Sequence, residues 1–191
     1  MKKTVKVNGD TFGIMMSERR IKAKVKQLAK KISKDYRGKT PVFIGILNGS
    51  FIFFADLIRE VTIDCEVDFL KLSSYGDEKI SSGNVRLLKD LNCQVEGRHI
   101  VVVEDVVDSG LSMEYIKNII SHQNPASFKI VTLLFKKESV KSPIQLDYVG
   151  FTIPRDFVIG YGLDYAQRMR QLKAIYKLRD TRTRAALRRE E

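Results

Sequence analysis

The chain has little of what marks a protein for export, for membranes or for metal. Its 191 residues contain two cysteines, Cys65 and Cys93, at no redox or metal-ligand spacing, which agrees with a reducing compartment and leaves them as core or surface thiols. The opening MKKTVKVNGD sets two lysines before no apolar run, so it does not read as a signal peptide. No stretch nears the roughly 20 apolar residues of a membrane span. The chain is therefore expected in the cytoplasm and off the membrane. There is no internal repeat and no low-complexity segment. No GxxxxGK[ST] occurs, and the GYG at Gly160 lacks the third glycine of a dinucleotide fingerprint, so kinase-like and Rossmann oxidoreductase readings lose support.

What the chain does have is positive charge, a formal +11 at pH 7, with 34 Lys and Arg against 23 Asp and Glu. Much of it is local, in SERRIKAKVKQLAKKISKDYRGK and in the tail KLRDTRTRAALRREE. Such runs can bind nucleic acid, membranes or small anions. The first run also carries Ile21, Val25, Leu28, Ala29 and Ile32 at helical spacing after a Ser17 cap, with Gly38 just past its end. Its cations then fall on an outer, solvated helix face.

After this helix the periods alternate. An apolar strand PVFIGIL runs through the turn NGS into a helix FIFFADLIREV, and a strand CEVDFLKLSSY leads to the loop GDEKISSGN. VRLLKDL, the strand HIVVVEDVV, the loop DSGLS and a helix with Tyr115, Ile116, Ile119 and Ile120 follow, then the strands FKIVTLLFK, YVGFTIP and FVIGYGL. Strands of continuous Val, Ile and Leu alternating with helices predict an α/β fold, a mostly parallel central sheet flanked by helices. At 191 residues the whole chain suits one domain. Only the basic tail, about 179–191, looks detachable, and the loop from Gly76 to Asn84 is the expected mobile insert.

In an open parallel sheet, ligands gather at the carboxyl ends of the strands. There HIVVVEDVVDSGLSM carries Glu104 and Asp105 to the edge of a buried strand and passes into a loop that opens a helix. The first backbone N–H groups of that helix have no internal partners and favour an anion. Gly110 lets backbone approach a phosphate closely, and Ser109 and Ser112 add hydroxyl donors. Carboxylates beside such a cradle would repel a bare phosphate, so they call for sugar hydroxyls or Mg²⁺. A sugar phosphate fits both halves.

VVVEDVVDSGLSM resembles the phosphoribosyl-pyrophosphate (PRPP) motif of the type I phosphoribosyltransferases. GILNGSFIFFADLIR, DFLKLSSYG, SSGNVRLLKDL, LLFKK and FVIGYGLDYAQRMRQL narrow the resemblance to the hypoxanthine(-guanine) members, over about residues 10–178. It implies their fold, with a small hood and a mobile loop, and their purine-salvage reaction: hypoxanthine or guanine plus PRPP gives IMP or GMP plus pyrophosphate, with Mg²⁺. By the same resemblance Glu104 and Asp105 face the ribose hydroxyls and metal-bound water, and Asp108, Ser109, Gly110, Leu111 and Ser112 hold the 5′-phosphate. Asp108 is placed near N7 of the purine as the group that takes up or shares a proton. Lys136 meets the exocyclic oxygen, Phe157 stacks on the ring and the backbone of Val158 faces position 2. Asp164 binds Mg²⁺, while Asn48, Gly49 and Arg170 face pyrophosphate. Ser74 and Tyr75 belong to the mobile loop, and a homodimer or homotetramer is implied.

Two departures stand out. Asn48 occupies a position where the family's pyrophosphate loop often carries lysine, and Leu111 one where some members have lysine. His99 and His122 take no part in this scheme and read as structural. The competing reading is a regulator that keeps the fold, senses PRPP or nucleotides and binds nucleic acid through its basic surface; a milder one is an enzyme for another purine such as xanthine.

Overall fold

The computed structural model describes residues 3–74, 85–140 and 144–179. They form two sheets. The larger has six strands: β3 (Val42–Leu47), β4 (Glu66–Ser74), β5 (Val85–Lys89), β6 (His99–Val107), β7 (Ser127–Phe135) and β8 (Tyr148–Thr152), in the order β5-β4-β3-β6-β7-β8. All its pairings are parallel except β5 on β4. The expected mostly parallel sheet is thus present. The four-residue run Ile100–Val103 of β6 is wholly buried because both faces are covered.

The helices follow from their apolar spacing. In α1 (Glu18–Asp35) the buried positions include Ile21, Val25, Leu28, Ala29 and Ile32, and Ser17 caps the helix by accepting the Arg20 N–H at 3.4 Å. The lysines of α1 face outward. With α2 (Phe51–Glu60), α1 covers one face of the sheet, where Phe53, Phe54 and Leu57 meet Phe43, Val101 and Val103. On the other face α3 (Leu111–Ser121) sets Met113, Ile116 and Ile120 against Ile44, Ile100 and Val102. Burying each such side chain is worth about 1.5–3 kcal/mol. The free cysteines, Cys65 and Cys93, are half-buried beside these two cores.

From β3 the chain passes through α2 to β4 on one side, and β6 then pairs with the opposite edge of β3. The carboxyl ends of β3 and β6 therefore flank the point where the winding reverses, which is where an α/β sheet opens a crevice.

Above that crevice lies the smaller sheet, antiparallel β1 (Thr4–Val7), β2 (Asp10–Met16), β10 (Ile175–Leu178) and β9 (Val158–Ile159), in the order β1-β2-β10-β9. Its own core is Phe12, Ile159, Ala174 and Tyr176. Here the structure corrects the sequence reading: FVIGYGL is not a strand of the main sheet. Only Val158 and Ile159 extend, and they pair with β10, because the backbone turns left-handed at Gly160, Tyr161 and Gly162. Both histidines have structural partners. His99 Nδ1 lies 2.8 Å from Ser127 Oγ, and His122 Nδ1 donates to the Asn118 carbonyl at 2.6 Å.

Candidate active site

The crevice is a cleft of about 640 Å³. Its floor is the carboxyl edge of the large sheet, with Leu47 ending β3 and Asn48 and Gly49 just after it, Lys71 and Leu72 on β4, Glu104, Asp105 and Val106 on β6, Asp108 just past β6 and Lys136 after β7. Its roof comes from the small sheet and the segment between β9 and β10: Phe157, Val158, Leu163, Asp164, Gln167 and Arg170.

The centre is a buried acid pair. Asp105 is 6% exposed and accepts the Val106 N–H at 2.8 Å. Gly49 packs so closely on it that a Cβ there would collide with the carboxylate, and a Cβ at Gly162 would in turn strike the Gly49 carbonyl. Three chain segments thus meet backbone to carboxylate. Burial raises the Glu104 carboxyl well above the usual carboxylate range, and the negative Asp105 beside it adds to the rise. Burial raises Asp105 as well, partly offset by a hydrogen bond from Glu104 and by the charge of Arg170. Glu104 Oε2 is buried with no hydrogen-bond partner. A buried polar atom in that state costs free energy until a ligand supplies a hydroxyl or a cation.

Beside the pair, α3 starts at Gly110, whose φ of 86° is the left-handed conformation glycine adopts at little cost. No side chain caps the helix, and Ser109 Oγ is 3.5 Å from the Leu111 N–H. Asp108, Ser109, Gly110 and Ser112 line a second hollow of about 90 Å³ that shares Glu104 and Asp108 with the main cleft. Its size and its backbone donors suit one phosphate group.

On the other flank Lys136, 9% exposed, donates to Asp108 Oδ2 at 2.7 Å. Phe157 stands over the same end with 44% of its surface exposed. Tyr165 meets its ring edge-on at 5.3 Å and Phe12 packs at 6.0 Å, so the ring is held without being covered. Arg170 pairs with Asp164 at 2.8 Å and donates to the Gly162 carbonyl at 2.7 Å.

The structure thus brings together Asn48, Gly49, Glu104, Asp105, Asp108, Lys136, Phe157, Val158, Asp164 and Arg170 in one cleft, with Ser109, Gly110 and Ser112 in the adjoining hollow and Leu111 in the first turn of α3. Ser74 ends β4, and Tyr75 and the loop from Gly76 to Asn84 lie outside the described residues. Glu104, Asp105 and Asp164 do not converge into a protein cage for a metal: among the described residues no three acidic, His or Cys side chains do. Mg²⁺ fits such a site where it keeps waters and substrate oxygens. Sequence reasoning missed Lys71, Leu72, Leu88 and Gln167, all of which line the cleft. A signal existed for Lys71, a cation at the carboxyl end of a parallel strand.

Comparison with known proteins agrees with this geometry. The phosphoribosyl transferase domain model matches residues 16–166. The hypoxanthine-guanine phosphoribosyltransferase of Bacillus subtilis is 44% identical over 166 residues, covering 87% of this chain and 92% of its own. The chain belongs to the hypoxanthine-guanine phosphoribosyltransferase family. The crystal structure of a family member from Bacillus anthracis, with HEPES in its active site, superimposes with a TM-score of 0.82 at 41% identity, over 86% of this chain and 96% of that one. The bifunctional TilS/HprT protein of Listeria monocytogenes is 41% identical over 169 residues, and there the chain spans 88% of itself but 26% of its relative. The type I phosphoribosyltransferase fold is therefore shared.

Proposed function

We propose that this protein transfers the 5-phosphoribosyl group of PRPP to hypoxanthine, and to guanine, giving IMP or GMP and pyrophosphate. One observation carries the reading: the Lys136–Asp108 pair stands on one flank of a buried acid pair that adjoins a phosphate-sized hollow. A base with a 6-oxo group, a ribose and a 5′-phosphate fill those three places in that order. Family membership supports the same reaction.

In the reaction the bond from C1′ to pyrophosphate oxygen breaks as the bond from C1′ to the purine nitrogen forms, and the electron pair of the broken bond leaves with pyrophosphate. Asp108 takes up or shares the purine proton at N7, at hydrogen-bond reach of a base held by Lys136. The α3 N-terminus holds the 5′-phosphate, and Glu104 and Asp105 orient the ribose hydroxyls, which satisfies Glu104 Oε2. Positive charge developing at C1′ sits above this acid pair, while Arg170 faces the leaving group. A base held under Phe157 and by Lys136 stands in line with C1′, so the base rather than solvent attacks. Asp164, with Glu104 and Asp105 nearby, would hold Mg²⁺, and the ion would supply charge neutralisation on the pyrophosphate.

The whole chain would act as one domain with a basic tail of about 179–191, as a homodimer or homotetramer in the cytoplasm; among the described residues no helix is long and apolar enough to cross a membrane. The test is a purine panel with PRPP and Mg²⁺. Hypoxanthine and guanine should react and adenine should fail by about 10⁴ or more, because a site built on one polar contact rejects an analogue that leaves the lysine facing another donor. Equal turnover of adenine would overturn the role of Lys136. Reaction with no purine despite PRPP binding would favour a regulator.

A further inference from the structure

We infer that Lys71 holds the pyrophosphate of PRPP and supplies the positive charge that the turn at Asn48 and Gly49 lacks. The inference rests on the phosphoribosyl-transfer reading above. Three cations line the cleft: Lys71, Lys136 and Arg170. Two are already matched to carboxylates, Lys136 to Asp108 at 2.7 Å and Arg170 to Asp164 at 2.8 Å. Lys71, half-buried, has no carboxylate partner among the described residues.

Its place in the sheet fits a leaving group. Lys71 is in register with Leu47 on the neighbouring strand, the residue immediately before Asn48. Along the carboxyl edge the order is Lys71 on β4, the Asn48–Gly49 turn on β3, the acid pair on β6 and Lys136 after β7. Neighbouring strands lie about 4.8 Å apart, so Lys71 and Lys136 stand on opposite flanks of the acid pair. A displacement at C1′ needs nucleophile and leaving group on opposite sides of the carbon. With the base at Lys136 and the ribose over Glu104 and Asp105, the leaving group is directed toward β3 and β4. The turn there offers backbone N–H groups and the neutral Asn48, and pyrophosphate, a multiply charged anion, finds its cation on the adjacent strand.

The test uses Lys71→Met, which keeps the stem, and Lys71→Arg, which keeps the charge. Calorimetry of pyrophosphate with Mg²⁺, KM for PRPP and KM for hypoxanthine are measured on the full chain, with IMP binding as a reference ligand that carries no pyrophosphate. Loss of one charge-assisted contact should weaken pyrophosphate and PRPP about tenfold in Lys71→Met, a step of about 1.4 kcal/mol. IMP binding and KM for hypoxanthine should stay within twofold, Lys71→Arg should stay near wild type, and the deficit should shrink as salt rises. Asn48→Lys added to Lys71→Met should recover the lost affinity by replacing the charge one strand away. Pyrophosphate and PRPP affinity within twofold of wild type in a folded Lys71→Met would overturn the inference, as would an equal loss of IMP affinity. Wild-type protein that turns over no purine but binds pyrophosphate about tenfold better than Lys71→Met would support the anion site and reject the transfer reading instead.

Discussion

Lys136 and Asp108 form an ion pair of 2.7 Å in which the lysine is buried and the aspartate side chain is 52% exposed. The exposed partner is free to turn toward a base while the buried one stays fixed. Asp108→Asn should therefore lower kcat by about 10² to 10⁴, the usual cost of removing a general acid or base, and change KM for PRPP far less. Steady-state kinetics with hypoxanthine would show it; turnover within a few-fold of wild type would take Asp108 out of the proton path.

Lys136→Met tests the other half of the pair. It removes the donor to the 6-oxo group and leaves Asp108 without its cation, so kcat/KM for hypoxanthine and guanine should fall by at least about 10²-fold. Adenine should gain no activity, since Met offers no acceptor for its amino group. A fall confined to one of the two oxopurines would contradict the role.

Gly49→Ala addresses the close approach of the β3 turn to Asp105. A methyl group there meets the carboxylate, and overpacking of this kind typically costs about 1–3 kcal/mol. For a chain of this size each kcal/mol lowers Tm by about 2–4 °C. Thermal unfolding should show the drop and PRPP affinity should fall with it, because the displaced group is Asp105 itself.

Much of the fold is legible in the sequence, and the reason is visible in α1 and β6. α1 keeps a helical period over a long stretch and β6 an unbroken apolar run, and each buries what its pattern selects. The hood could not be read this way. β1 has only four residues, the seven of β2 alternate irregularly between buried and exposed, and β9 has two residues followed by left-handed backbone, so an apolar run of seven concealed a strand of two. The site divides along the same line. Glu104 to Ser112 is contiguous in sequence and carries its chemistry on its face. Lys71 shows in sequence only as a cation on a strand, and its place beside the cleft comes from the strand order, which sets β4 beside β3 and puts the lysine level with Leu47.

Asp68 offers a test by pH at the base of the β4–β5 pair. It is nearly buried, which opposes its charge, but the backbone N–H groups of Cys93, Phe69 and Asn92 and the Lys89 ammonium outweigh that and hold its carboxyl at about 2. A carboxyl lower in the folded than the unfolded state stabilises above the unfolded value, near 3.9, and that stabilisation is lost as pH falls toward 2. The shift is worth about 2 kcal/mol at neutral pH. Asp68→Asn should be less stable than wild type at pH 7 by at least that amount, and urea unfolding at pH 7 and pH 3 should show the gap narrowing in acid. A gap independent of pH would mean the loss is one of hydrogen-bond geometry and not of charge.

The roof also sets an order of assembly. β2 precedes the large sheet in the chain and β10 follows it, yet the two are partners, with Ile175 opposite Met16 and Leu178 opposite Phe12. During synthesis, β2 has β1 but not β10 while residues 42–152 emerge and can already pair among themselves. Chains are made at about 5–20 residues per second, so the phosphate hollow can exist for several seconds before the aromatic lid over the base site does. A nascent chain stalled short of β10 would accordingly hold a sugar phosphate, with Lys136 in place, before the roof that keeps a base there is assembled.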